Sequence, residues 1–172
     1  MRITLPLTGI ILSITTMLFV SACSKKDSAT VATLMAAADT LRQDHKYSEA
    51  IGVLEEIPTK FPEDTSGTIK AWVTAADICG GDLQNFAKSI EYHEKIMNRF
   101  PEDPQSPKSL LIVALTYEQQ LQDTEKARHL YEEFLKKYPN HEIAESVRAN
   151  LALLDLSEEE LNKRLESAGS AP

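Results

Sequence analysis

Positive charge is scarce in this chain of 172 residues: 18 lysines and arginines stand against 26 aspartates and glutamates. Nucleic-acid phosphates demand a basic surface, so that class of partner is excluded. Strand periodicity is missing as well. No segment sustains apolar–polar alternation, and no sheet is expected. Catalytic signatures are also lacking: there is no H-E-x-x-H, Gly-rich phosphate loop, nucleophile-elbow motif or EF-hand loop. The four histidines form no ligand constellation. His45 falls in a turn, His93 in a column of packing residues, His129 on a face shared with Gly52 and Glu91, and His141 in the first turn of a seventh helix. The acidic pairs Glu55-Glu56 and Glu132-Glu133 are adjacent on helices. Such neighbours do not face each other, so they read as solvated surface rather than dyads. No metal, no cofactor and no enzymatic activity are expected.

Long apolar runs are confined to the start of the chain. Met1–Ala22 carries one basic residue, Arg2, no acidic residue, and an apolar run from Ile10 to Val20 broken by Ser13, Thr15 and Thr16. This pattern reads as an export signal. Its exit, Val20-Ser21-Ala22-Cys23, resembles the lipobox of bacterial lipoproteins. The resemblance implies cleavage before Cys23 and lipidation of its sulfur, with an uncleaved membrane anchor as the alternative. Ser24, standing where an aspartate would retain such a protein at the inner membrane, implies the outer membrane. Three acyl chains would anchor far more firmly than one, at ~0.8 kcal/mol per buried CH₂. Signal removal leaves 150 residues with 17 basic and 26 acidic side chains, enough for one domain with a core. Only Lys25-Lys26, beside the anchor, suit an anionic lipid surface. Cys79 is then the only thiol, so neither an intramolecular disulfide nor a Cys-based metal site can form. It reads as a small buried hydrophobe on a helix.

From Val31 a helical period takes over. A first helix ends near Asp44-His45, and a second runs from about Ser48, with Pro58 expected to end or kink it near Ile57. The third follows Thr65-Ser66, buries Trp72, Ala75, Ala76 and Cys79, and is expected to stop at Gly80-Gly81. A fourth spans about Leu83 to Arg99. Ser106 as N-cap and Pro107 in the first helical position are expected to open the fifth. The sixth is the stretch "TEKARHLYEEFLKKYP", Thr124–Pro139. Asn140 is expected to cap a seventh helix, His141–Leu154, and Ser157-x-x-Glu160 to box a short eighth.

The helices recur in pairs. Leu34, Trp72 and Leu110 are 38 residues apart, as are Ala38, Ala76 and Ala114, and Leu41, Cys79 and Tyr117. In the second helices Ala50, Ser89 and Ala127 step by 39 and 38, as do Pro62, Pro101 and Pro139. One extra residue in the inter-helix turn of the second unit is the expected reason. A bulky–x–x–apolar–small first helix, a small–x–x–x–aromatic–x–x–apolar second helix and a closing proline resemble the tetratricopeptide repeat. The resemblance covers Val31–Pro139 and implies an all-α fold: an α-solenoid of three helix pairs plus C-terminal capping helices. The expected organisation is a signal at 1–22, a lipidated cysteine and tether at 23–30, the repeats at 31–156, and a short helix and frayed tail at 157–172.

In repeats of this class the first helices line a concave groove. Helical spacing places Met35, Asp39 and Arg42 there from the first unit, Lys70, Val73 and Asp77 from the second, and Lys108, Leu111, Leu115 and Glu118 from the third. Mixed apolar and charged side chains suit an extended or helical peptide. The expected function is a lipid-anchored scaffold on the periplasmic side of a bacterial envelope, binding a protein partner. It is similar in style to repeat lipoproteins of outer-membrane assembly and to the repeat domain of the Tol–Pal coordinating protein. Two competing readings are self-association into a homo-oligomer, with the groove holding another copy's terminal helix, and an envelope hydrolase using the carboxylates of Asp39 and Asp77.

Overall fold

The computed structural model describes residues 29–156 together with Glu160 and Lys163. The expected signal segment, Cys23 and most of the short helix after Ser157 lie outside these described residues. Seven α-helices follow one another: α1 (Val31–Gln43), α2 (Tyr47–Lys60), α3 (Thr65–Asp77), α4 (Phe86–Arg99), α5 (Gln105–Gln119), α6 (Thr124–Lys137) and α7 (Ala144–Leu154). Each packs chiefly against the next. This is the all-α solenoid of helix pairs that the repeat implied, and among the described residues there is no strand. None of the described helices is long and apolar enough to cross a membrane.

Capping side chains fix where most helices begin. Thr30 accepts from the Thr33 N–H, and Thr33 returns the favour to the Thr30 N–H. Asp64 accepts from the Gly67 N–H, Asn85 from that of Lys88 and Asp123 from that of Lys126, at 2.7, 3.1 and 2.9 Å. Each satisfies a backbone donor that the first turn leaves without a partner. The exceptions are α2, α5 and α7, whose cap positions, Lys46, Pro104 and Ile143, make no side-chain bond.

The turns within the pairs share a left-handed residue just before the second helix's cap: His45, Gln84 and Gln122, with φ of 60°, 53° and 55°. The turn of the first pair closes with the Lys46 N–H on the Leu41 carbonyl. Those of the second and third close with Asn85 on Cys79 and Asp123 on Tyr117, a loop one residue longer. The extra residue therefore belongs to both later units, and the first unit is the short one; this corrects the expectation that it lay in the second alone. Nor do Gly80-Gly81 stop the third helix. They lie inside a π-helical turn, Ile78–Asp82, that prolongs α3. Neither glycine adopts positive φ, so no left-handed stop forms there, and Gln84 supplies the reversal instead.

Three further helix ends differ from expectation. Pro58 does not end α2, which runs on to Lys60 and matches the fourteen residues of α4 and α6. The ring removes one hydrogen bond, and burial of Leu54 and Ile57 in the turn before it holds the helix. Ser106 is not a cap: it lies inside α5, buried, and its hydroxyl donates to the Phe100 carbonyl at 2.6 Å, while Asp103 accepts from the Gln105 N–H. Finally, α7 starts at Ala144 rather than His141. His141 precedes it, edge-on to Phe134 and Tyr138, and its Nδ1 accepts from the Ile143 N–H.

Small residues allow the close approach. Ala38, Ala76 and Ala114 are buried in the first helices, Ala50, Ser89 and Ala127 in the second. Large side chains fill the space between: Trp72, Tyr92, Ile96 and Leu54 toward the N-terminal end, Tyr131, Phe134 and Leu110 toward the other. The buried tyrosines keep their hydroxyls satisfied, Tyr92 donating to Glu55 at 2.6 Å and Tyr131 to Glu118.

Candidate protein-binding groove

The first helices of the pairs, α1, α3 and α5, bound three shallow depressions. The first, ≈ 540 Å³, lies between α1 and α3 and is lined by Met35, Asp39, Lys70 and Thr74, among others. The second, ≈ 520 Å³, receives Arg42 and Asp77, Ile112 and Thr116 of α5, the glycines of the π-helical turn, and Phe86, Ser89 and His93 of α4. A third, ≈ 430 Å³, is bordered by Ile69, Asp103 and Lys108.

Six of the ten expected groove residues thus line depressions: Met35, Asp39 and Lys70 together, Arg42 and Asp77 together, and Lys108 apart. The other four, all half-exposed, line none of these depressions. Val73 is half-buried against the N-terminal core, and Leu111 and Leu115 against the C-terminal core. Glu118 accepts the Tyr131 hydroxyl. Asp39 and Asp77 line different depressions, so the carboxylates of the hydrolase reading do not share a site.

Sequence reasoning missed the most structured part of this face. His93 stands in the column of Leu54 and Tyr131, and Ser109 in that of Ala71 and Val147. Where the first and third units bury apolar contacts, the second buries a polar pair: His93 Nδ1 lies 3.1 Å from Ser109 Oγ, with His93 only 2 % exposed. Gly80 occupies the column of Arg42 and Glu118, so the second unit has no side chain where its neighbours have long ones. The signal was the glycine in that column, read as a helix stop rather than as an opening.

Burial sets the electrostatics here. It pushes the His93 pKa down to about 4, so the imidazole is neutral at neutral pH. The Asp77 carboxyl is raised above the ordinary range, by burial first and by Asp82 in addition, while Arg42 opposes the shift. Arg42 is itself engaged by Asp82 at 2.7 Å. Burial also raises the Cys79 thiol, which leaves it an inert packing group rather than a nucleophile. Among the described residues no group of histidine, cysteine and carboxylate side chains could hold a metal ion.

A stack of antiparallel helix pairs with a common groove face defines a class: helical-repeat proteins whose repeats mediate protein–protein contacts. The family model described as "Tetratricopeptide repeat" matches residues 108–141, which take in nearly all of α5 and α6. The third pair thus matches the tetratricopeptide repeat, and the first two share the length of its second helix and its small-residue columns. No curated protein matches the chain.

Proposed function

We propose that this chain is a lipid-anchored tetratricopeptide-repeat scaffold of a bacterial cell envelope that holds a protein or peptide partner along the α1–α3–α5 face. The observation that carries the binding reading is the row of depressions on that face, lined by charged and apolar side chains at repeat spacing. The anchor reading rests on the sequence Val20-Ser21-Ala22-Cys23, and Ser24 favours the outer membrane, where such a scaffold would serve assembly or maintenance.

Photocrosslinkers placed at the exposed positions Lys70 and Lys108 should capture one partner in cells, whereas one at Gly52, on the exposed side of α2, should not. Equal capture from all three positions, or none from the first two, overturns groove binding. Cys23→Ser should release the protein from the membrane fraction; its retention there would overturn lipidation as the mode of attachment.

A further inference from the structure

We infer that the depression beside the π-helical turn is a subsite for one basic side chain, lysine or arginine, of a peptide lying along the α1–α3–α5 face. This rests on the groove reading above and names the chemistry of one residue of its occupant.

Access comes from the glycines. A Cβ built on Gly81 would meet nothing within 4 Å, whereas one on Gly80 would come within 3.1 Å of Ser89 Oγ, so Gly80 permits close packing and Gly81 leaves the opening. The walls suit a methylene stem: Phe86 is half-buried, and Ile112 is among the few large apolar side chains left exposed, at 37 %. Long basic side chains bury their stems along such surfaces while the charged head reaches a polar partner.

Partners for the head are present. Asp77 lines the depression and makes no hydrogen bond or ion pair of its own, unlike Asp82, which Arg42 occupies. His93 borders the same space. Its Nδ1 is engaged by Ser109 and Nε2 bonds no protein group; among the described residues Thr68 Oγ1 is the buried side-chain polar atom without a partner. In the tautomer whose Nδ1–H donates to Ser109 Oγ, Nε2 is left as an acceptor.

The backbone field is mainly of the same sign, with the N-terminus of α4 at Phe86 opposing it. Arg42 lies in the last turn of α1, the π-helical turn ends α3, and Thr116 and Gln120 stand at the end of α5. Three helix C-termini, each carrying partial negative charge, therefore converge beside Asp77. A carboxylate or phosphate occupant would meet repulsion from all of them; a cation is matched.

Selective ¹⁵N-glycine labelling of the full-length chain in detergent tests this directly, because the chain has only six glycines. The probes are N-acetyl-arginine methylamide, its lysine counterpart, the neutral citrulline counterpart and the glutamate counterpart. Both basic probes should shift the Gly80 and Gly81 amides saturably, with dissociation constants of order 1 mM, and leave Gly52 unmoved. Citrulline should bind at least about fivefold more weakly, as should arginine to Asp77→Asn. Gly81→Met, which fills the opening and keeps every charge, should abolish the shift at the remaining Gly80 amide while leaving the Gly67 amide in place as evidence of intact folding. Absence of saturable shifts at ~20 mM of either basic probe, or equal binding of citrulline or glutamate, overturns the subsite. Partner capture from Lys70 and Lys108 without these shifts removes the subsite and leaves the groove; shifts without capture do the reverse.

Discussion

At the scale of single residues, His93 shows how position overrides type. A histidine on a helix reads from sequence as packing, and it is indeed buried, yet its hydrogen bond to Ser109 joins two units whose counterparts meet through apolar groups. Burial leaves the folded state with a pKa near 4 against the ordinary 6.5, so the unfolded chain takes up the proton first as pH falls. Stability from this group is complete above about pH 6.5 and declines between there and about pH 4, by a total of order 3 kcal/mol. His93→Leu, the residue type of Leu54 in the same column, should remove that portion of the acid slope in urea titrations across this range. An unchanged slope would show that His93 does not carry it. The pairing itself was not legible in the sequence, because Ser109 lies 16 residues away on another helix, and only the packing of α4 on α5 brings it near.

Among elements, α2 is the weak copy of its repeat. It lacks the side-chain cap that Asn85 and Asp123 give α4 and α6, and it holds Pro58 where they have Met97 and Leu135. Both faults are local, so both repairs should be local. Lys46→Asp should supply the missing cap and raise stability by about 0.5–2 kcal/mol, read as a higher urea midpoint with unchanged slope. Pro58→Ala should restore an N–H for the Leu54 carbonyl and add about 1–3 kcal/mol, less than the full propensity difference because proline also restricts the unfolded chain. A lower melting temperature for Pro58→Ala would contradict this account of the helix. Of the consequences expected of the proline, an early end does not occur, and the helix leaves at Phe61 as expected. Local propensity predicts a broken helix, but Leu54 and Ile57 are both fully buried, and their packing holds the last turn in place.

For the molecule as a whole, stability is a sum over neighbouring pairs, and the junctions are set by small residues. Ala38, Ala76 and Ala114 are at most 1 % exposed. Ala114→Leu should overpack the contact of α5 with α6 and cost about 1–3 kcal/mol, measured by chemical denaturation, whereas the same change at exposed Ala37 should fall within about 0.5 kcal/mol. Chain order by itself determined the helical class, the period of the repeat, the small-residue columns and the absence of known catalytic motifs, because these depend on residue type at fixed spacing. Which face is open was a different matter. Four of the ten expected groove residues line none of the three depressions, since a helix in a solenoid is contacted from several sides and periodicity specifies only one of them. The π-helical turn, the second loop of extra length, the His93–Ser109 pair and the depression beneath Gly80 and Gly81 were decided by tertiary structure. Each depends on what stands opposite, and distance along the chain carries no record of that.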